Sequence, residues 1–228
     1  MGGQACVFYG AAEFSRDTDI VILAEPANLG RLAKALKELD ANCIALPPFE
    51  EKYLKRGHAI HFRCRHPQAR GIRVDVMSRL RGVDPFPKLW QRRTTMRVGK
   101  GLAIQLMSVA DLVKAKKTQR DKDWPMVRRL VEAHYAQFGA RPKRERIDFW
   151  LRESRTPEML AGLAKRFPRE CHRISKERPS LIKACKADND AVTLLLEKEE
   201  RAERAADKDY WQPLRQELAE LRRQRLRK

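Results

Sequence analysis

Apolar residues fall in short, strand-like runs in the first half of the chain and at helical spacing in the second. Ile20-Val21-Ile22-Leu23 is a β-branched apolar run, and Gly71-Ile72-Arg73-Val74-Asp75-Val76-Met77 alternates polar and apolar as a half-buried strand does. Residues 42–46, stopped by Pro47 and Pro48, and residues 102–107 also read as strands. The stretch 58–66 reads as a strand that pairs with 72–77 through a turn at 67–71. Leu29, Leu32, Leu36 and Leu39 recur at helical spacing after the turn and capping residue of Glu25-Pro26-Ala27-Asn28. Residues 4–14 read as a helix and 49–56 as a helical turn or loop. Ser108 is a good N-cap for a helix carrying Asp111, Leu112 and Val113, and Pro125 suits the first turn of the next. After a break at 139–142 the pattern is all helical. Apolar pairs at 147–151 and 159–163 flank Thr156, a potential cap, and Leu214, Leu218 and Leu221 share one face of a final helix over 189–228. The expected fold is α+β, a small mixed sheet with flanking helices over residues 1–138, then a helical region over 139–228 with a basic tail.

Two carboxylates, Asp17 and Asp19, run directly into the first strand. Alternation puts both on one side, their Cα atoms about 7 Å apart, so they can converge on one cation. Carboxylates so held suit Mg²⁺, a hard ion that takes oxygen ligands. Gly2 and Gly3 stand just before the expected helix at 4–14, where free N–H groups and the helix dipole attract phosphate. A third carboxylate, Asp75, sits between Val74 and Val76, a costly place unless it is paired or bound to metal.

A glycine pair, a spacer, Asp-x-Asp on one strand and a lone Asp on another together resemble the nucleotidyltransferase superfamily typified by DNA polymerase β. Further along, Ser108-x-x-Asp111-Leu112 leads to Lys116-Lys117 and then to Arg120-x-Lys122-Asp123. This is similar to the helical segment of bacterial nucleotidyltransferases related to the AbiEii-like toxins of type IV toxin–antitoxin systems. The resemblance implies a nucleotidyltransferase core that moves a nucleoside monophosphate from a nucleoside triphosphate to a hydroxyl and releases pyrophosphate. It also implies two Mg²⁺ ions on Asp17, Asp19 and Asp75, with Asp75 taking the hydroxyl proton. Gly2 and Gly3 would support the terminal phosphates, and Lys116, Lys117 or Arg120 would contact nucleotide or phosphate. In the superfamily the glycine motif ends a strand. Here it follows Met1 directly, so either the true start lies upstream of Met1 or an edge strand of the sheet is absent.

Charge narrows the acceptor. The 228 residues carry a formal net charge of +19, and charged residues make up 35% of the chain, which favours a polyanion, RNA above all. From 79 to 100, Arg79, Arg81, Lys88, Arg92, Arg93, Arg97 and Lys100 interleave with Phe86 and Trp90. The aromatics are expected to pack inward, and some of the arginines to meet substrate. The run from Leu221 to Lys228 reads either as a helix end stabilised by its own dipole or as an arm for nucleic acid or an antitoxin-like protein partner. A non-catalytic nucleic-acid- or partner-binding module on a degenerate nucleotidyltransferase fold is the alternative, and an antibiotic nucleotidyltransferase a further one.

His58, His61, Cys64 and His66 lie close together, yet strand geometry turns His61 away from His58 and Cys64, so no tetrahedral zinc set forms locally. No apolar run approaches the length of a membrane span and no secretory leader is evident, so a cytoplasmic location without membrane contact is expected. The five cysteines, Cys6, Cys43, Cys64, Cys171 and Cys185, are scattered through the sequence and read as free thiols of a reducing compartment.

Overall fold

A computed structural model describes residues 1–99, 101–186 and 188–227; Lys100 and Lys228 of the expected basic surfaces lie outside the described residues. The protein is α+β, and its chain divides into two compact units. The first comprises residues 1–8, 12–115 and 209–228, the second residues 9–11 and 116–208. The division after residue 115 differs from the one expected at 138, and the last twenty residues return to the first unit.

In the first unit, helix α1 (Gly2–Phe8) precedes strand β1 (Asp17–Val21) and helix α2 (Pro26–Glu38). Then come β2 (Ala41–Cys43), α3 (Glu51–Arg56), β3 (Ile60–Cys64) and β4 (Arg73–Met77). The four strands form one mixed sheet in the order β1-β4-β3-β2. β1 runs parallel to β4, while β4 to β3 and β3 to β2 are antiparallel. The expected hairpin between 58–66 and 72–77 is present, its turn closed by a short 3-10 segment at Pro67–Ala69.

Strand alternation gives the sheet two unlike faces. Ile20 of β1, Ile60, Phe62 and Cys64 of β3, and Val74 and Val76 of β4 share a core with Leu29, Leu32 and Leu36 of α2 and Leu54 of α3. The intervening positions, Asp17, Asp19, His61, Arg63, Arg73 and Asp75, stand on the opposite face.

Several local expectations change. The first helix ends at Phe8 rather than near residue 14, because Gly10 takes a positive φ of 75°. α2 starts at Pro26, and the Asn28 side chain, instead of capping, donates to the Leu23 carbonyl at 2.9 Å. After α4 (Phe86–Gln91) comes a separate hairpin of β5 (Thr94–Val98) and β6 (Leu102–Leu106), so residues 94–98 are a strand that the apolar pattern did not mark. Ser108 caps α5 (Val109–Ala115) as expected, accepting from the Asp111 N–H at 3.2 Å.

In the second unit, α6 (Asp123–Phe138), α7 (Arg144–Glu153), α8 (Pro157–Arg166), α9 (Pro168–Ser175), α10 (Ser180–Cys185) and the first part of α11 (Asn189–Leu226) surround a core that includes Trp124, Leu130, Trp150, Leu160 and Leu181. Thr156 precedes α8 but donates its hydroxyl to Glu132 instead of capping. The Trp150 indole N–H donates to His134 Nδ1 at 2.8 Å. The remainder of α11 belongs to the first unit, where Glu217 accepts hydrogen bonds from Arg56 and pairs with the buried His58 at 2.9 Å. No described helix is long and apolar enough to cross a membrane.

Candidate active site

The parallel pairing of β1 with β4 sets Asp17 opposite Arg73 and Asp19 opposite Asp75. Neighbouring residues in register on adjacent strands point to the same face, and i and i+2 on one strand do so too. The three carboxylates named from the sequence therefore share one face at one end of the sheet. Asp17 and Asp19 are half-buried, and Asp75 is 7% exposed.

The glycine pair meets the same group. The Gly3 N–H donates to Asp19 Oδ2 at 3.3 Å, and the Met1 amino group donates to the Asp19 carbonyl at 2.8 Å. A Cβ placed on Gly2 would fall 1.8 Å from Asp19 Oδ2, and one on Gly3 would fall 2.4 Å from Ser15 Oγ. Gly2 also has a φ of 67°, in the left-handed region. These glycines let the start of α1 close onto the acidic strand. One of their N–H groups is used on a carboxylate of the protein itself.

Asp75 is bound on two sides. Arg73, two residues away on the same strand face, forks onto it, with Nε to Oδ1 and a terminal nitrogen to Oδ2, both at 2.7 Å. His61, its register partner on β3, places Nδ1 2.8 Å from Oδ1. Burial pushes the Asp75 pKa up, and hydrogen bonds from His61 and Arg73 outweigh it, so the carboxyl lies below its ordinary value. The Arg73 guanidinium is held by its hydrogen bonds to Asp75 and also feels the charges of Asp17 and Asp19. A fixed cation thus stands among the three carboxylates.

That arrangement decides how a metal would fit. Asp17 and Asp19 suit a divalent cation: they share a face, and Asp19 has an oxygen beyond the one that accepts from Gly3. Asp75 does not suit one in this geometry, because both of its oxygens are engaged by Arg73 and His61. Among the described residues no group of three or more His, Cys, Asp or Glu side chains is set to hold a metal ion.

Lys116, Lys117 and Arg120 fall in the second unit, where carboxylates of that unit neutralise them. Lys116 and Arg120 bind the fully buried Asp123 at 2.8 and 2.7 Å, joined by the Thr118 hydroxyl at 2.6 Å. Lys117 pairs with Glu153 at 2.7 Å. Burial raises the Asp123 pKa, but Lys116, Thr118 and Arg120 together bring it below the ordinary value. A buried carboxylate needs such partners, so these cations serve the fold where the sequence suggested phosphate contacts.

Compared with family models, with curated proteins and with solved structures, the chain matches none. The candidate site rests on its own geometry.

Beside the sheet, the basic and aromatic segment is more open than expected. Trp90 is 45% exposed, Phe86 stacks on it with ring centroids 5.8 Å apart, and the Arg93 guanidinium lies 4.1 Å from the Trp90 ring centre. The residue that sequence reasoning missed is Arg73. Its signal was available, since an arginine two positions before an aspartate in an alternating strand shares that aspartate's face.

Proposed function

We propose that the first unit is a nucleotidyl-transfer site, which moves a nucleoside monophosphate from a nucleoside triphosphate to a hydroxyl acceptor. The observation that carries this reading is the register of β1 and β4, which puts Asp17, Asp19 and Asp75 on one face of adjacent parallel strands. Asp17 and Asp19 would hold a divalent cation, whose chemistry is to neutralise the triphosphate and lower the acceptor hydroxyl's pKa. Phosphoryl transfer requires positioning and charge neutralisation above all, and Arg73 adds a positive charge that is already in place. Asp75, engaged at both oxygens and held below the usual carboxylate range, is a weak proton acceptor. Its role is to fix His61 through Nδ1, which leaves the other ring nitrogen to take the acceptor proton.

The acceptor class best supported is RNA. The net charge of +19 favours a polyanion, and the exposed Trp90 with Phe86 and Arg93 offers a surface on which a base can stack. One observation favours the second reading, a binding module on a degenerate site: Arg73 already occupies the carboxylate a second metal would need.

The deciding experiment incubates the purified protein with Mg²⁺, each labelled nucleoside triphosphate in turn and total RNA, with Asp17→Asn and Asp19→Asn alongside. Label in RNA that depends on both aspartates supports the transferase. Label that persists in Asp19→Asn removes this assignment. No label from a folded protein that binds RNA moves the reading to the binding module.

A further inference from the structure

Cys171 and Cys185 are fourteen residues apart in sequence, and their sulfurs lie 3.0 Å apart in the second unit. That is closer than two sulfurs rest in ordinary contact and about 1 Å longer than a disulfide bond. Cys171 is in the middle of α9, fully buried, while Cys185 ends α10 and is exposed. The scatter of cysteines along the sequence concealed this pair, because the turn between α9 and α10 brings it together.

We propose that Cys171 and Cys185 form a reversible disulfide site, oxidised by a peroxide and joining α9 to α10. The two sulfurs have distinct roles. Burial, with the neighbouring Cys185 sulfur adding to it, pushes the Cys171 thiol up to about 12, and the same burial keeps an oxidant in solvent from reaching it first. Cys185 is open to solvent and reacts with the oxidant. Its thiolate attacks one peroxide oxygen, the O–O bond breaks, and a sulfenic acid forms as hydroxide leaves and is protonated to water. The Cys171 sulfur then attacks the Cys185 sulfur. The S–S bond forms as the S–O bond breaks, and the Cys171 proton leaves with the hydroxide as a second water. Two thiols are oxidised by two electrons, and one peroxide is reduced to two waters.

The full chain, first reduced and freed of reductant, is treated with about one equivalent of hydrogen peroxide. Free thiols are then alkylated, and trypsin peptides are read by mass spectrometry. Arg173 and Lys176 lie between the two cysteines, so a linked pair of peptides is distinguishable from two separate ones. The expected result is a Cys171–Cys185 linked peptide, a loss of about 2 Da from the intact protein, reversal by dithiothreitol and a rise in Tm of roughly 10 °C. Cys185→Ser, a change at an exposed position, should abolish the link and the Tm shift while the reduced protein melts as the parent does. The inference fails if both cysteines stay fully alkylatable while the exposed Cys43 is oxidised. It fails equally if Cys185 proceeds to sulfinic acid with the Cys171 thiol intact.

Discussion

Asp19 and Asp75 are direct register partners across the parallel pair of β1 and β4, yet their side chains meet different groups. Asp19 accepts from the Gly3 N–H, whereas Asp75 is gripped by Arg73 and His61. Two carboxylates alike in sequence therefore differ in what is left to them: Asp19 keeps capacity for a ligand, and Asp75 is a structural anion.

Gly2→Ala tests the closure of α1 on the acidic strand. The added methyl would overlap Asp19 Oδ2, and the positive φ would be strained, so we expect a loss of about 1–3 kcal/mol in urea unfolding. Gly30→Ala is the control, since its Cβ would meet nothing within 4 Å. Equal stability of the two variants would show that α1 does not close on Asp19.

Arg73→Gln tests the built-in cation. In the parent, the folded-state pKa of Asp75 lies below its ordinary value of 3.8. The stabilisation that follows is therefore fully present above pH 3.8 and is lost as pH falls through the folded value. The variant should be about 1–3 kcal/mol less stable at pH 7, discounted for the partial exposure of Arg73, and the gap should narrow as pH is lowered from 7 to below 3.8 and Asp75 becomes protonated. A gap of constant size across this range would mean that Arg73 stabilises by packing alone.

His61→Gln separates proton transfer from charge. A positioned general base contributes on the order of 10²–10⁴-fold, so under the proposed transfer reaction turnover with RNA should fall by that amount while nucleotide affinity changes little. A variant with unchanged turnover and weakened nucleotide binding would make His61 a binding residue.

His134 predicts a pH dependence in the second unit. Burial, helped by Arg146, lowers its pKa from 6.5 to about 4, and its neutral ring accepts the Trp150 N–H. Between these values the unfolded chain binds the proton and the folded one does not, so stability is full above pH 6.5 and declines down to about pH 4. Discounted for the ring's partial exposure, the loss amounts to about 1–2 kcal/mol, and this group adds little further below about pH 4. Denaturation followed by tryptophan fluorescence should show this slope, and His134→Gln should lack it.

Much of the fold could be read from local pattern. The alternation in 71–77, the apolar run after Asp19 and the leucine spacing in 29–39 each specify an element with little help from the rest of the chain. The shared face of Asp17, Asp19 and Asp75 follows from the same alternation once β1 and β4 pair. What escaped was set by partners distant in sequence or by competing local chemistry. Glu217 reaches Arg56 and His58 across some 160 residues, and no periodicity announces such a contact. Lys116 and Arg120 looked free because Asp123 was read as part of a charged motif and not as their buried counter-ion. The strand at 94–98 was hidden by the basic residues around it, although Thr94-Thr95-Met96 followed by Gly99 and Gly101 carries a hairpin's composition.

The return of residues 209–228 to the first unit has a consequence for how the protein is made. A ribosome delivers residues 116–208 before the segment carrying Glu217, an interval of roughly 5–20 s at ordinary synthesis rates. Throughout it Arg56 and the buried His58 lack the Glu217 carboxylate that they meet in the finished protein. The helical unit, complete in sequence by residue 208, can mature first. The first unit is completed last, although almost all of it is synthesised first.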